Sequence, residues 1–144
     1  MNMGVAGVQM GTRFVATHEC DASDGFKQTY LNAKEEDVVL IQSPVGLPGR
    51  AISNQFLTEA NLGMNKPKNC RYVCIRTCNF KETPYCIANA LVEAQRGNHD
   101  EGFSFAGSNV YKIDKIVSVK ELINTIKNEY QKAVKIIKDK VLLF

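Results

Sequence analysis

The stretch Gly4 to Phe14, GVAGVQMGTRF, decides how the rest of the chain is read. Within it Val5 to Met10 (VAGVQM) is short, largely apolar and without clean alternation, the pattern of a strand covered on both faces in a parallel sheet. Gly11 and Thr12 end it with a turn. Such a strand needs hydrogen-bonded neighbours and helices over both faces. The remaining sequence offers one other clear strand, Val38 to Ile41 (VVLI), and a weaker apolar run in FSFAGSN, from Phe103 to Asn109. Two or three short strands do not bury the first, so the expected fold class is α/β and incomplete by itself.

Helices fill most of the remainder. One is expected to begin near Ser23 or Asp24, with Phe26, Tyr30 and Ala33 turned inward and Leu31 adjoining. A second is expected over Ala51 to Ala60 and a third around Arg71 to Cys78, after a loop from Gly63 to Asn69. A fourth follows Thr83, read as an N-cap with Pro84 in the first turn, where no backbone donor is needed. Ile87, Ala90, Leu91 and Ala94 then repeat at helical spacing, and Gly97 closes the segment. The last helix opens on a capping box, Ser118 to Glu121. Its apolar stripe is Leu122, Ile123, Ile126, Tyr130, Ala133, Val134 and Ile137.

At 144 residues, 44% apolar and 23% charged, the chain suits one globular domain. Its formal charge of +3 is small and spread out, and the densest basic run, Lys132 to Lys140, lies on an amphipathic helix. No nucleic-acid partner is expected on that basis. No apolar run is long enough to span a bilayer, so no membrane partner is expected either. The N-terminal residues lack a secretory pattern, and a cytoplasmic location is the expectation.

Five cysteines, Cys20, Cys70, Cys74, Cys78 and Cys86, read as reduced thiols rather than disulfides in such a chain. The last four make a C-x3-C-x3-C-x7-C series. Such a series can supply four thiolates to zinc or an iron–sulfur cluster. Its spacing matches no common closed metal site, so the series is read instead as small apolar side chains in a core, and no metal site is assigned.

GVAGVQMGTRFVATHEC resembles the last barrel strand of the flavin-dependent nitronate monooxygenases, formerly 2-nitropropane dioxygenases. The related flavin-dependent enoyl-acyl-carrier-protein reductases carry a similar segment. The likeness continues through GFKQTYLNAKEED, PGRAISNQF, EGFSFAGSN and VKELINTI, in order and over nearly the whole chain. Q-M-G-T-R-F followed by A-T-x-E is its most specific part, and PYCIANAL resembles a branch on the monooxygenase side. What the resemblance implies is the C-terminal portion of a TIM (β/α)8 barrel: last barrel strand, helical insertion and C-terminal helix. Residues 1–144 are then one C-terminal fragment of a flavin-binding barrel.

The same resemblance implies FMN as cofactor, with Gln9, Met10, Gly11 and Thr12 on its phosphate side. Gly11 suits that role because a residue without Cβ lets an anion approach the backbone. Arg13 could neutralise the phosphate or make a structural ion pair. Gly107, Ser108 and Asn109 are the expected flavin- and substrate-proximal loop, although the family often has Gln where Ser108 stands. The same residues also fit an ordinary turn. The family's catalytic histidine lies in a Gly-rich stretch with no counterpart here, so His18 and His99 are assigned no catalytic role. The implied reaction of the intact enzyme is oxidation of an alkyl nitronate by O2 to a carbonyl compound and nitrite. The chain alone is expected to be inactive. The alternatives are a piece of the enoyl reductase, or a non-catalytic chain that self-associates or joins the missing barrel half.

Overall fold

The computed structural model describes residues 7–76 and 78–141, the side chains of Lys140 and Val141 excepted. One helical turn, α1 (Thr12–Val15), is followed by α2 (Asp24–Asn32), a 3-10 turn (Glu35–Asp37), and the strands β1 (Val38–Gln42) and β2 (Pro48–Ile52). Then come α3 (Gln55–Asn61), α4 (Ile87–Gln95), a second 3-10 turn (Val110–Lys112) and the long α5 (Val119–Val141).

The expected opening strand does not form where it is described. Val5 and Ala6 lie outside the described residues, and Gly7 to Met10 carry no strand pairing. Val8 is 75% exposed. A parallel strand is held by its neighbours, and none of the described strands reaches this one.

VVLI does form a strand, but in an antiparallel hairpin, with Val38 opposite Ile52 and Gln42 opposite Pro48. The turn closes through Gly46 N–H donating to Ser43 O at 2.9 Å, with Gly46 in the left-handed region (φ +83°). The second strand corrects the expected helix over Ala51 to Ala60. Ala51 and Ile52 belong to β2, and the helix starts only at Gln55, capped by Asn54 Oδ1 accepting from Leu57 N–H at 3.0 Å. Phe103 to Ala106 lie alongside β2, with Ile52 N–H donating to Ser104 O and Ala106 N–H to Arg50 O, both at 3.0 Å.

Successive residues of β2 face opposite ways and so build two cores. Ile52 packs with Ala16, Tyr30, Ala33, Val110 and Ile113. Ala51 packs with Phe56, Leu57, Tyr85, Ala90 and Phe103 on the other side. Three rings, Phe56, Tyr85 and Phe103, meet there with centroids 5.4 to 6.1 Å apart. Such contacts stabilise beyond the area they bury, by about 0.5–1.5 kcal/mol each.

Two glycines are required by proximity. A Cβ on Gly102 would stand 2.1 Å from Ala90 O, so the chain passes directly over α4. A Cβ on Gly49 would stand 2.6 Å from the Phe105 ring, which covers the hairpin at that point. These contacts explain EGF and PGR within the segments singled out above.

Ser23 does cap α2, its Oγ accepting from Phe26 N–H at 3.2 Å. Ser118 Oγ likewise accepts from Glu121 N–H at 3.1 Å. Glu121 itself turns to Lys115 Nζ at 3.2 Å, and Glu19 takes the Val119 N–H with both oxygens, at 2.9 and 3.0 Å. The expected cap at Thr83 is corrected: α4 starts at Ile87, and Thr83 Oγ1 donates instead to Tyr85 O at 3.0 Å. The expected helix over Arg71 to Cys78 is corrected too. Apart from Thr77, which lies outside the described residues, that segment runs in bends and turns.

The apolar stripe of α5 divides. Leu122 is buried, and Ile123 and Ile126 are half-buried, whereas Tyr130, Ala133 and Ile137 are exposed. No helix among the described residues is long and apolar enough to cross a membrane.

Candidate functional site

The loop entering α1 and the loop ahead of the second 3-10 turn come together across 95 residues of sequence. Gly107 N–H donates to Thr12 Oγ1 at 2.8 Å. Between the two loops lies an open hollow of about 320 Å³. Gln9, Met10, Gly11 and Thr12 line one side of it, and Gly107, Ser108 and Asn109 the other. The two residue sets picked from sequence thus form one site.

Local structure explains how each part is placed. Phe14 N–H donates to Gly11 O at 2.9 Å, which closes the single turn of α1. As in any first helical turn, the N–H groups of Thr12 and Arg13 have no acceptor within the helix. Downstream, Val110 N–H donates to Gly107 O at 3.1 Å, and Val110 is buried in the core. That anchor fixes the Gly-Ser-Asn tip, which stays exposed.

The chemistry of the lining suits an anion. Gly11 is not demanded by its backbone angles, with φ −109°, and a Cβ there would meet nothing within 4 Å. What a side chain at this position would occupy is the hollow itself, and its absence leaves bare backbone for a ligand to approach. Thr12 Oγ1, having accepted from Gly107, still has its proton to donate. Two cations, Arg13 and Lys112, border the same hollow. Lys112 was not singled out from sequence. Its signal is a basic residue three positions after Asn109, on the 3-10 turn that the loop leads into.

Other residues of the A-T-x-E segment serve the fold. Ala16 and Thr17 are 1% exposed, Thr17 Oγ1 donates to Phe14 O, and Glu19 caps α5 as described. His18 is exposed and contributes its backbone N–H to Val117 O at 3.0 Å. His99 lies 2.9 Å from Thr29 Oγ1 and stacks on Phe26, away from the hollow. Asn54, unmarked in the sequence reading, donates Nδ2 to both His99 O (3.1 Å) and Gly102 O (2.7 Å) while capping α3.

The cysteines are not core residues. Cys70, Cys74 and Cys78 are exposed, and Cys20 and Cys86 half-buried, which corrects the reading of them as small apolar packing. A larger hollow of about 490 Å³ separates Lys66, Lys68 and Arg71 from Glu93 and Asp100. Tyr85 borders it, buried, its hydroxyl without a hydrogen-bond partner among the described residues.

The family model described as nitronate monooxygenase matches residues 1–129. The chain belongs to the nitronate monooxygenase family. A probable nitronate monooxygenase of Bacillus subtilis (strain 168) is 29% identical over 135 residues, which cover 90% of this chain and 35% of that protein. One from Staphylococcus saprophyticus is 39% identical over 61 residues, 42% of this chain and 17% of that one. Among solved structures, FabK from Thermotoga maritima superposes with a TM-score of 0.74 at 25% identity, over 95% of this chain and 40% of that one. This nitronate monooxygenase-family chain therefore spans about a third of the length of the first curated relative that it matches.

Proposed function

We propose that the hollow between Gln9–Thr12 and Gly107–Asn109 is the phosphate end of an FMN site in an oxidoreductase of alkyl nitronates. The intact enzyme would use O2 and give a carbonyl compound and nitrite. The observation that carries this reading is the Thr12–Gly107 hydrogen bond, which ties two loops distant in sequence into one basic hollow that both glycines line. Thr12 would donate its hydroxyl proton to a phosphate oxygen, and Gly11 would let the anion reach the backbone. Arg13 and Lys112 would balance the charge. Bound there, the flavin would supply two-electron redox chemistry. This chain's part is to hold and orient it.

The hollow is open and at the small end of ligand pockets, which usually enclose most of their ligand. The reading therefore includes weak cofactor retention and no turnover by these 144 residues alone. The test is to purify the chain and record its absorption spectrum, then titrate FMN while following flavin fluorescence. Weak, saturable binding that Thr12→Val lowers about tenfold, roughly the 1.4 kcal/mol of one charge-assisted hydrogen bond, supports the reading. A stoichiometric flavin surviving purification overturns the weak-retention part. Binding indifferent to Thr12→Val overturns the site.

The likeness to FabK supports a second reading, an enoyl-acyl-carrier-protein reductase that consumes NAD(P)H. Both readings use the same phosphate site. An assay of the barrel-length protein for NAD(P)H oxidation with an enoyl thioester, set against O2 uptake with a nitronate, separates them.

A further inference from the structure

We propose that Cys70, Cys74, Cys78 and Cys86 are the four ligands of a tetrahedral thiolate metal centre, separate from the flavin site. All four border one small hollow that is also lined by Pro44 and Val45 of the hairpin turn and by Ile87 of α4. Spaced four apart on a helix, Cys70, Cys74 and Cys78 would spread over two turns, about 12 Å, too far for one ion. The chain instead bends through this segment. Val73, next to Cys74, has φ +44°, a left-handed conformation that is a genuine outlier for a β-branched residue.

Packing does not account for these side chains. Cysteine is among the most buried residue types, yet three of the four are exposed. Regular structure does not hold the segment either: from Leu62 to Cys86 the described residues form no helix or strand, only isolated turns such as Cys78 N–H donating to Ile75 O at 3.2 Å. A stretch of that length without regular structure is unusual inside a compact domain, and a shared metal is one way to order it. Cys86 stands at the N-cap of α4, which has no side-chain cap, so the helix presents unpaired N–H groups to an anionic sulfur. Lys66, Lys68, Arg71 and Arg76 flank the series in sequence. As the side chains lie, no three potential ligands among the described residues are grouped closely enough to hold an ion. Closure to metal–sulfur distances of about 2.3 Å needs Cys70, Cys74 and Cys78 to shift, none of which lies in a helix or strand.

An all-sulfur tetrahedral set takes zinc or an iron–sulfur cluster. The experiment is to purify the full chain under reducing, oxygen-free conditions, reconstitute it separately with Zn²⁺ and with iron plus sulfide, and measure metal and acid-labile sulfide. Roughly one zinc per chain, or iron with matching sulfide, supports the centre and names its occupant. Cys74→Ser and Cys78→Ser are expected to lower retained metal at least tenfold, while Cys20→Ser leaves it unchanged. Circular dichroism of each variant establishes that it is folded, and Co²⁺ loading, read by the visible bands of tetrahedral cobalt thiolate, gives a second measurement on unaltered protein. No metal after either reconstitution overturns the proposal. So does metal equally retained by the Cys74 and Cys78 variants, or a thiol count showing paired disulfides in the reduced preparation.

Discussion

Two buried tyrosines show what single hydroxyls contribute. Burial pushes both Tyr30 and Tyr85 up to about 12 from an ordinary 10.0. Between those values the unfolded chain has released the phenolic proton and the native one keeps it. The unfolded state binds fewer protons there, so stability falls as pH rises from 10 towards 12 and is fully present below 10. Urea midpoints measured across that window are expected to drop, and the drop should shrink in Tyr85→Phe. The two hydroxyls differ in partners. Tyr30 donates to Phe105 O at 2.7 Å, so Tyr30→Phe is expected to cost about 0.5–1.5 kcal/mol at neutral pH. The Tyr85 hydroxyl has no hydrogen-bond partner among the described residues, and its Phe variant should be neutral or stabilising. Gly102 is the opposite case, a missing atom that cannot be restored. Gly102→Ala puts a methyl 2.1 Å from Ala90 O and is expected to cost about 3 kcal/mol. An unshifted midpoint in that variant would contradict the close passage over α4.

Among the elements, α5 depends on a residue 100 positions away. Glu19 satisfies the Val119 N–H and places a negative charge at the helix N-terminus. Glu19→Ala is expected to cost about 1 kcal/mol, with a larger loss at low salt, measured by thermal melting at two ionic strengths. The Ser caps of α2 and α5 were legible in sequence because a cap is local: the side chain and its N–H acceptor lie three residues apart. Glu19 was not legible as a cap, since nothing near it in sequence is its partner. The helix expected at Ala51 failed for a similar reason. Gly49 and Arg50 look unlike a strand until Phe105 arrives from elsewhere to cover the glycine. At Arg71 to Cys78 a four-residue repeat suggested a helix face, but its repeating residue is cysteine, which remains exposed there. The two loops of the candidate site lie against one hollow. Both of its loops carry turn residues whose types are chemical requirements, whereas Lys112 reaches the hollow only through the 3-10 turn.

At the scale of the whole molecule, the apolar surface is unevenly distributed. Val8 and Met10 ahead of α1, Leu40 on the hairpin, and Tyr130, Ile136 and Ile137 on α5 are all exposed. Exposed apolar surface of this kind is expected to find cover, here from a second copy of the chain. Gel filtration with light scattering is expected to show concentration-dependent association. A compact monomer at all concentrations counts against any missing cover. The two cores meet at β2, so neither opens without disturbing the other.

The division along α5 carries a further meaning. Its first two turns are fastened by Leu122 and Glu19, while Ala133, Ile136 and Ile137 in the later turns are exposed. A helix held at one end behaves as a rod clamped in a vice. Amide exchange should slow progressively toward Ser118, and whatever touches the distal turns would act on the clamp, and through Val117 on Ala16 and α1, as a lever.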